Sequence, residues 1–181
     1  MKKLLAIVIF AVLSSCASAP KLNYYTLDLT PSGAVDSDLD IAVSRFAVAE
    51  KLDRHQIVIQ ETATRIDYYA KDRWATGVGS MVEQKLAAEF GPAGLGGRNL
   101  RVSGTVVAFE QVDTAAGPQA FVRLEIEIRD GGTKRFEAPL LEKTYESRRA
   151  AEDDSVDAVV RALSRSMEEI AAAIAADVAG L

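Results

Sequence analysis

The sequence predicts a single α+β domain in which a mixed, mainly antiparallel sheet carries two amphipathic helices on one face. The length of 181 residues, with 49% apolar and 26% charged residues, fits one domain with one core. The spacing of apolar residues changes from two to three and four near residue 72, returns to two near residue 100, and ends in a long helical stripe. No repeat or composition break divides residues 24–181, so we expect them to form one domain.

The first residues carry a targeting signal. Met1-Lys2-Lys3 is a positively charged N-terminal region, and Leu4–Leu13 is a run of ten residues without a polar side chain. As a helix this run reaches about 15 Å, which is too short to cross a bilayer. Residues 1–15 are therefore predicted to be a secretory signal peptide. Leu13-Ser14-Ser15-Cys16 resembles a bacterial lipobox, which implies lipidation of Cys16, including palmitate, and cleavage before it; a soluble periplasmic protein with a conventional cleavage site is the alternative.

Residues 16–23 are predicted to be a short lipidated tether. Two or three acyl chains bury tens of methylene groups at about 0.8 kcal/mol each, so the anchor would be effectively permanent. Ala17 rather than Asp follows the cysteine, which by resemblance to known sorting signals favours the outer membrane. An extended chain from Cys16 to Tyr24 spans at most about 28 Å, so we expect the domain on the periplasmic face, close to its membrane.

The first half of the domain is predicted to contain four strands. Alternating patterns rich in β-branched and aromatic residues indicate strands at 24–29, 40–48, 56–60 and 65–69, the last two joined as a hairpin through 61–64. Within the second strand we expect Ile41, Val43 and Phe46 to face inward.

A helix is predicted to begin near Asp72. Its apolar face would carry Trp74, Val78, Met81, Val82, Leu86 and Phe90. Gly91-Pro92 would end it, and the glycine-rich stretch 91–97 is predicted to be a flexible connection, because it follows a helix and lacks the Lys-Ser/Thr of a phosphate loop.

The second half is predicted to contain three strands and the longest helix. One strand would place Leu100, Val102, Gly104, Val106 and Ala108 on one face. The next would bury Ala120, Val122, Leu124, Ile126 and Ile128, and would expose Phe121, Arg123, Glu125, Glu127 and Arg129. A third strand over about 134–147 is interrupted by Pro139, which indicates a bulge or a sheet edge. The final helix has an apolar stripe from Val156 to Val178, with Asp153 or Asp154 as its cap and Gly180 after its end.

Composition excludes several classes of function. The chain has one cysteine and one histidine, too few for Cys/His zinc sites, disulfide frameworks or Cys-His nucleophile pairs. Its net charge of −5 and its lack of a Lys/Arg cluster disfavour nucleic-acid binding and adhesion to anionic lipid. Acid pairs such as Asp153/Asp154 and Glu168/Glu169 are typical of a solvated helix face. We find no active site in the sequence. We therefore expect that the protein is not an enzyme and that it has no cofactor beyond the covalent lipid on Cys16.

One cluster combines the residue types that dominate protein interfaces. The stretches 52–59 and 68–75 together carry two arginines, two tyrosines and the chain's only tryptophan. The candidate partner interface is Arg54, Gln56, Tyr68, Arg73 and Trp74. In the alternative interpretation, Trp74 and one tyrosine belong to the core and Arg73 forms an ion pair.

The same residues resemble a known family. Tyr-Tyr-x-Leu at 24–27, Leu-Asp-Arg-x-Gln-Ile-Val at 52–58 and Tyr…Arg-Trp-Ala ending at 75 are similar to the ABC-type transport auxiliary lipoproteins. These accompany MCE-domain (mammalian cell entry) lipid-transport systems, including the paraquat-inducible type.

The resemblance implies a non-catalytic part in moving phospholipids or related amphiphiles between the inner and outer membranes. Its partners would be an MCE-domain protein with its ABC permease and ATPase, and Arg54, Gln56, Arg73 and Trp74 would serve docking or domain integrity. The sequence leaves open whether the lipoprotein forms a homo-oligomeric ring. An envelope assembly or scaffold lipoprotein, such as a secretion-channel pilot or a cell-wall synthase partner, is the alternative function.

Overall fold

The computed structural model describes residues 20–28, 30–31, 39–91, 98–132 and 137–181. The strands are β1 (Asn23–Tyr25), β2 (Leu39–Val48), β3 (Gln56–Thr62), β4 (Arg65–Trp74), β5 (Arg98–Thr114), β6 (Gly117–Asp130) and β7 (Leu141–Ala150). The helices are α1 (Val78–Phe90) and α2 (Val156–Ala179), and a 3-10 turn spans Glu50–Leu52. The predicted signal peptide and Cys16 lie outside the described residues, as does the glycine-rich stretch from 92 to 97.

All seven strands belong to one mixed sheet, in the order β1-β4-β3-β5-β6-β7 with β2 also on β5. Strand β5 is 17 residues long, and on one edge it pairs in parallel first with β2 and then with β3. On its other edge β6 runs antiparallel along its length, and β7 continues that pairing. The antiparallel pairings are thus the longest, as the sequence predicted.

Both helices pack on the same face of the sheet, which confirms the predicted architecture. Helix α1 lies on β2, α2 lies on β6 and β7, and the two helices touch each other. The predicted inward face of β6, from Ala120 to Ile128, is buried against the stripe of α2. Among the described residues no helix is both long enough and apolar enough to cross a membrane.

The N-terminal segment after β1 is built into the helix layer. Leu27 is 3% exposed and belongs to the core. The amide of Asp28 donates to Oγ of Ser164 on α2 at 3.3 Å. From α1, the fully buried Lys85 donates through Nζ to the carbonyl of Thr30 at 2.5 Å. The segment after β1 therefore contacts both helices, and these contacts fix the first residues of the domain in place.

The predicted start of the first helix near Asp72 is wrong. Strand β4 continues through Trp74, because Trp74 pairs with Tyr25 of β1 and its amide donates to the carbonyl of His55 at 2.6 Å. Helix α1 begins only at Val78, after Gly77. The spacing of four between Trp74 and Val78 matches a helical period by coincidence, and the strand pairing decides the conformation.

Two strand predictions also need correction. Strand β1 ends at Tyr25, whereas the sequence predicted a strand over 24–29; residues 26–28 lie outside any strand, and Asp28 contacts α2. A register shift between Val106 and Ala108 in β5 places Ala108 opposite Arg123, on the face away from the helices, whereas the sequence predicted it inward. The bulge inserts one residue, which inverts the alternation after it.

The last two elements differ from prediction at their starts. Strand β7 begins at Leu141, so Pro139 precedes the strand and does not interrupt it. Helix α2 is capped by Ser155, whose Oγ accepts from the amide of Ala158 at 3.2 Å. Asp153 instead accepts from the amide of Ser155, so it supports the cap residue without being the cap.

Candidate functional site

Trp74, the central residue of the predicted interface, lies in the core. Its side chain is 0% exposed, and its ring meets Phe109 edge to face with the centroids 5.5 Å apart. Its indole Nε1 is buried and has no hydrogen-bond partner among the described residues. Trp74 therefore supports the site from the core and contributes no exposed surface to it.

The loop before β3 is fastened to the end of β4. The Trp74 amide donates to the His55 carbonyl, and Nδ1 of His55 lies 3.2 Å from the Trp74 carbonyl. Gln56 and Arg73 are directly opposite each other in the β3–β4 register, and both are half-buried. The Nε of Arg73 is buried without a hydrogen-bond partner in the described part of the chain. These contacts fix the loop that carries Arg54.

Arg54 and Tyr68 meet on the face of the sheet opposite the helices. The guanidinium of Arg54 lies 4.9 Å from the centroid of the Tyr68 ring, a cation–π distance. The Tyr68 hydroxyl donates to the carbonyl of Lys51 at 3.4 Å, so the ring also contacts the 3-10 turn. Of the predicted residues, Arg54 and Tyr68 form the exposed part of the site.

The neighbouring Tyr69 belongs to the other side of the sheet. Its hydroxyl donates to Oε1 of Gln111 at 2.5 Å, and Gln111 pairs with the inward-facing Ala120. Burial, followed by the charge of Asp113, raises the pKa of Tyr69 above its usual value. The two adjacent tyrosines are both half-buried, one on the outer face of the sheet and the other a hydrogen-bond donor on the helix face.

The site contains an ion pair that the sequence analysis missed. Glu110 on β5 is 0% exposed, and both of its carboxylate oxygens contact Nζ of Lys51, at 2.7 and 2.5 Å. The pair fixes the 3-10 turn over the sheet. Glu110 faces outward only because of the bulge between Val106 and Ala108, which the alternation in the sequence does not reveal, so the pattern gave no signal of this ion pair.

A cavity of about 180 Å³ lies beside this site, between β2, the 3-10 turn and the start of α1. The charged residues in its lining are Arg45, Arg54, Asp53 and Glu83. Oε1 of Glu83 is already engaged by the amide of Phe46 at 2.6 Å. In the described ranges no group of three or more His, Cys, Asp or Glu side chains is placed to hold a metal ion.

Fold and site together define a single α+β domain whose distinctive surface is a sheet face carrying arginine and aromatic side chains. The chain belongs to the family of ABC-type transport auxiliary lipoprotein components, whose sequence model matches residues 25–175. A family of lipoproteins implies a membrane-anchored protein of the cell envelope. No curated protein matches the sequence.

Two crystal structures share this fold. One, of an uncharacterized protein, superposes with a TM-score of 0.70 at 18% identity, covering 88% of this chain and 99% of its own. The other is the protein XCC0632 from Xanthomonas campestris, of family DUF330, with a TM-score of 0.69 at 16% identity, covering 86% of this chain and 92% of its own. At these identities the likeness shows the fold alone.

Proposed function

We propose that this chain is a non-catalytic docking component of an MCE-type ABC transport system that moves phospholipids or related amphiphiles between the inner and outer membranes. A lipid on Cys16 anchors it to the periplasmic face of the outer membrane. There it receives or stabilises the far end of the periplasmic path formed by the MCE-domain protein.

The observation that carries the proposal is the family match over residues 25–175, downstream of a lipobox at Cys16. The fold supports it, since the segment that follows the tether is held by Leu27 in the core and by Lys85 from α1. A tether of a few residues joined to a fixed segment keeps the domain at its membrane.

The described contacts support a role without catalysis. The buried hydroxyl of Ser147 donates to Glu169 at 2.8 Å, and that of Ser164 accepts from the amide of Asp28. Both hydroxyls thus serve the packing of α2. The buried carboxylate of Glu110 is engaged by Lys51. These groups have structural partners in place of the activating base that a nucleophile requires.

Affinity purification of the full-length lipidated protein from gently solubilised envelopes tests the proposal. We expect an MCE-domain protein to co-purify with its permease and ATPase, identified by mass spectrometry. Recovery of a secretion channel or a cell-wall synthase instead would refute the transport role and favour an assembly or scaffold lipoprotein.

A separate experiment tests the anchor. Cys16→Ala should abolish incorporation of labelled palmitate and leave an unprocessed or periplasm-released form. Ser15→Thr is the matched control, since it changes the lipobox but keeps the thiol. Label that still enters the alanine variant would refute lipidation at Cys16.

A further inference from the structure

The strand registers align five side chains in one row across the outer sheet face, the face away from the helices. Val58 is opposite Tyr68 on one side and Glu110 on the other; Glu110 is opposite Phe121, which is opposite Arg148. We call Tyr68, Val58, Glu110, Phe121 and Arg148 the cross-strand row. Strands lie about 4.8 Å apart, so the row is about 19 Å long.

The row holds the apolar Val58 and Phe121 on either side of the buried Glu110, and cationic side chains lie over it. Val58 is 1% exposed and Phe121 is 7% exposed, although neither α1 nor α2 packs on this face. Cationic side chains cover Phe121 instead. The Arg148 guanidinium lies 3.6 Å from the centroid of the Phe121 ring, and that of Arg123 lies 5.4 Å from it. The stems of these side chains shield the ring and leave the charged groups outward.

Each end of the row carries a guanidinium group that lies over an aromatic ring. Arg54 lies on Tyr68 at one end and Arg148 on Phe121 at the other, and neither has a carboxylate partner within the described residues. Arg123, in contrast, forms an ion pair with Glu146 at 2.6 Å. A guanidinium held flat on a ring keeps its N–H groups available for a carboxylate in bidentate geometry.

We infer that the cross-strand row is the docking surface for an acidic segment of the partner protein. Four cationic side chains stand on or over the row: Lys51, Arg54, Arg123 and Arg148. Only two carboxylates, Glu110 and Glu146, accompany them, although the chain as a whole has a net charge of −5. The row is therefore a local positive surface on an acidic protein, and charge complementarity selects an acidic partner. Aromatic rings under arginines are the composition of interface hot spots.

A protein partner fits this surface better than a bilayer does. Between the guanidiniums of Arg54 and Arg148, the apolar Val58 and Phe121 flank the Lys51–Glu110 ion pair, in which the carboxylate is already neutralised. This arrangement suits a segment whose acidic residues are separated by apolar ones. The acidic remainder of the chain would be repelled from an anionic membrane surface. Binding to anionic vesicles is accordingly an outcome that counts against the inference.

The inference rests on the proposed function for the identity of the partner, and charge reversal at the row tests it. In the full-length lipidated protein we combine Arg54→Glu with Arg148→Glu. The matched control combines Arg161→Glu with Arg165→Glu, which makes the same change in net charge on exposed arginines of α2. We expect the row variant to lower recovery of the MCE-domain protein by roughly tenfold or more, and the control to leave it unchanged.

A photo-crosslinking residue gives a second measurement that does not depend on which system the partner belongs to. Ile66 is 44% exposed and pairs with Gln60, on the same face as Val58. Placed there, the probe should form an adduct with an acidic segment of the partner, identified by mass spectrometry. The same probe at the exposed Ala173 on α2 should not.

The outcomes separate the two proposals. If the wild type recovers the MCE-domain protein and the row variant does so equally well, the docking surface is wrong while the transport role stands. If the Ile66 adduct is an acidic segment of another envelope complex, and the row variant loses that complex, the docking surface stands while the transport role fails. Adducts from Ala173 only, or binding to phosphatidylglycerol vesicles that the row variant alone loses, would overturn the docking surface.

Discussion

Replacement of Trp74 by alanine tests how much the buried Trp74 side chain, beneath the predicted interface, contributes to the stability of the domain. The side chain is 0% exposed and packs in the core on Phe109 of β5. Removing a fully buried aromatic side chain leaves a cavity and costs about 3–5 kcal/mol in the free energy of unfolding. For a domain of this size each 1 kcal/mol lowers Tm by about 2–4 °C, so we expect a fall of roughly 6–20 °C.

Circular dichroism during heating and urea unfolding of the detergent-solubilised protein measure this loss. A lower urea midpoint with an unchanged m-value would show a loss of stability without a change in the surface exposed on unfolding. Trp74→Phe is the matched variant, because it keeps a ring against Phe109 and removes the buried indole N–H that has no partner. We expect it to cost less than half as much as the alanine variant, since removing an unsatisfied donor offsets part of the lost contact.

The reasoning would be refuted by an alanine variant that melts within about 1 °C of the wild type yet no longer binds its partner. Trp74 would then be a surface hot spot, and its burial against Phe109 would not describe the protein in solution. Partner binding lost only in proportion to the unfolded fraction would instead agree with a supporting role.

Three further variants test single features of the fold. Gly104→Ala would place a Cβ 2.1 Å from the carbonyl oxygen of Glu125, so we expect a loss of about 1–3 kcal/mol or failure to fold, read from soluble yield and urea unfolding; near-wild-type stability would contradict that close approach. Ser155→Ala removes the cap of α2 and should cost about 1 kcal/mol by thermal melting, with Ser155→Asp retaining most of it; equal losses would argue against capping. The pKa of Asp177 is held below its usual value, first by a hydrogen bond from Lys143, so its stabilisation is present above pH about 4 and is lost as pH falls through the folded pKa. Asp177→Asn should therefore weaken the protein at neutral pH and flatten the acid side of its stability profile, measured by urea unfolding at several pH values; an unchanged profile would contradict the pairing.

The fold was largely predictable because its longest elements have strong patterns. The alternation from Ala120 to Ile128 and the stripe from Val156 to Val178 each repeat often enough to identify the element and its buried face. Where prediction failed, a distant pairing decided the local structure. Trp74 stays in a strand because of Tyr25 and His55, which are far from it in sequence.

The candidate site was predictable only in part, for a related reason. Arg54 and Tyr68 stand out by residue type within one short block of sequence. Phe121 and Arg148 do not, because in the sequence each is one outward residue of an ordinary alternating strand. Only the registers of β3, β5, β6 and β7 bring them into line with Tyr68. A bulge such as the one before Ala108 shifts by one residue which side chains are opposite each other on neighbouring strands. The cross-strand row could therefore not be predicted from periodicity.

The two faces of the sheet suit different tasks. The helix face is covered by α1 and α2 and by the protein's own N-terminal segment, in which Ser164 contacts Asp28 and Lys85 contacts Thr30. A lipid on Cys16 would lie seven residues before Asn23, at most about 25 Å away along the chain. The cross-strand row lies on the opposite face, and its cations are held over their rings by contacts within the sheet. A partner that docks there would not displace the anchored segment, so membrane attachment and partner binding can be satisfied at the same time by one domain.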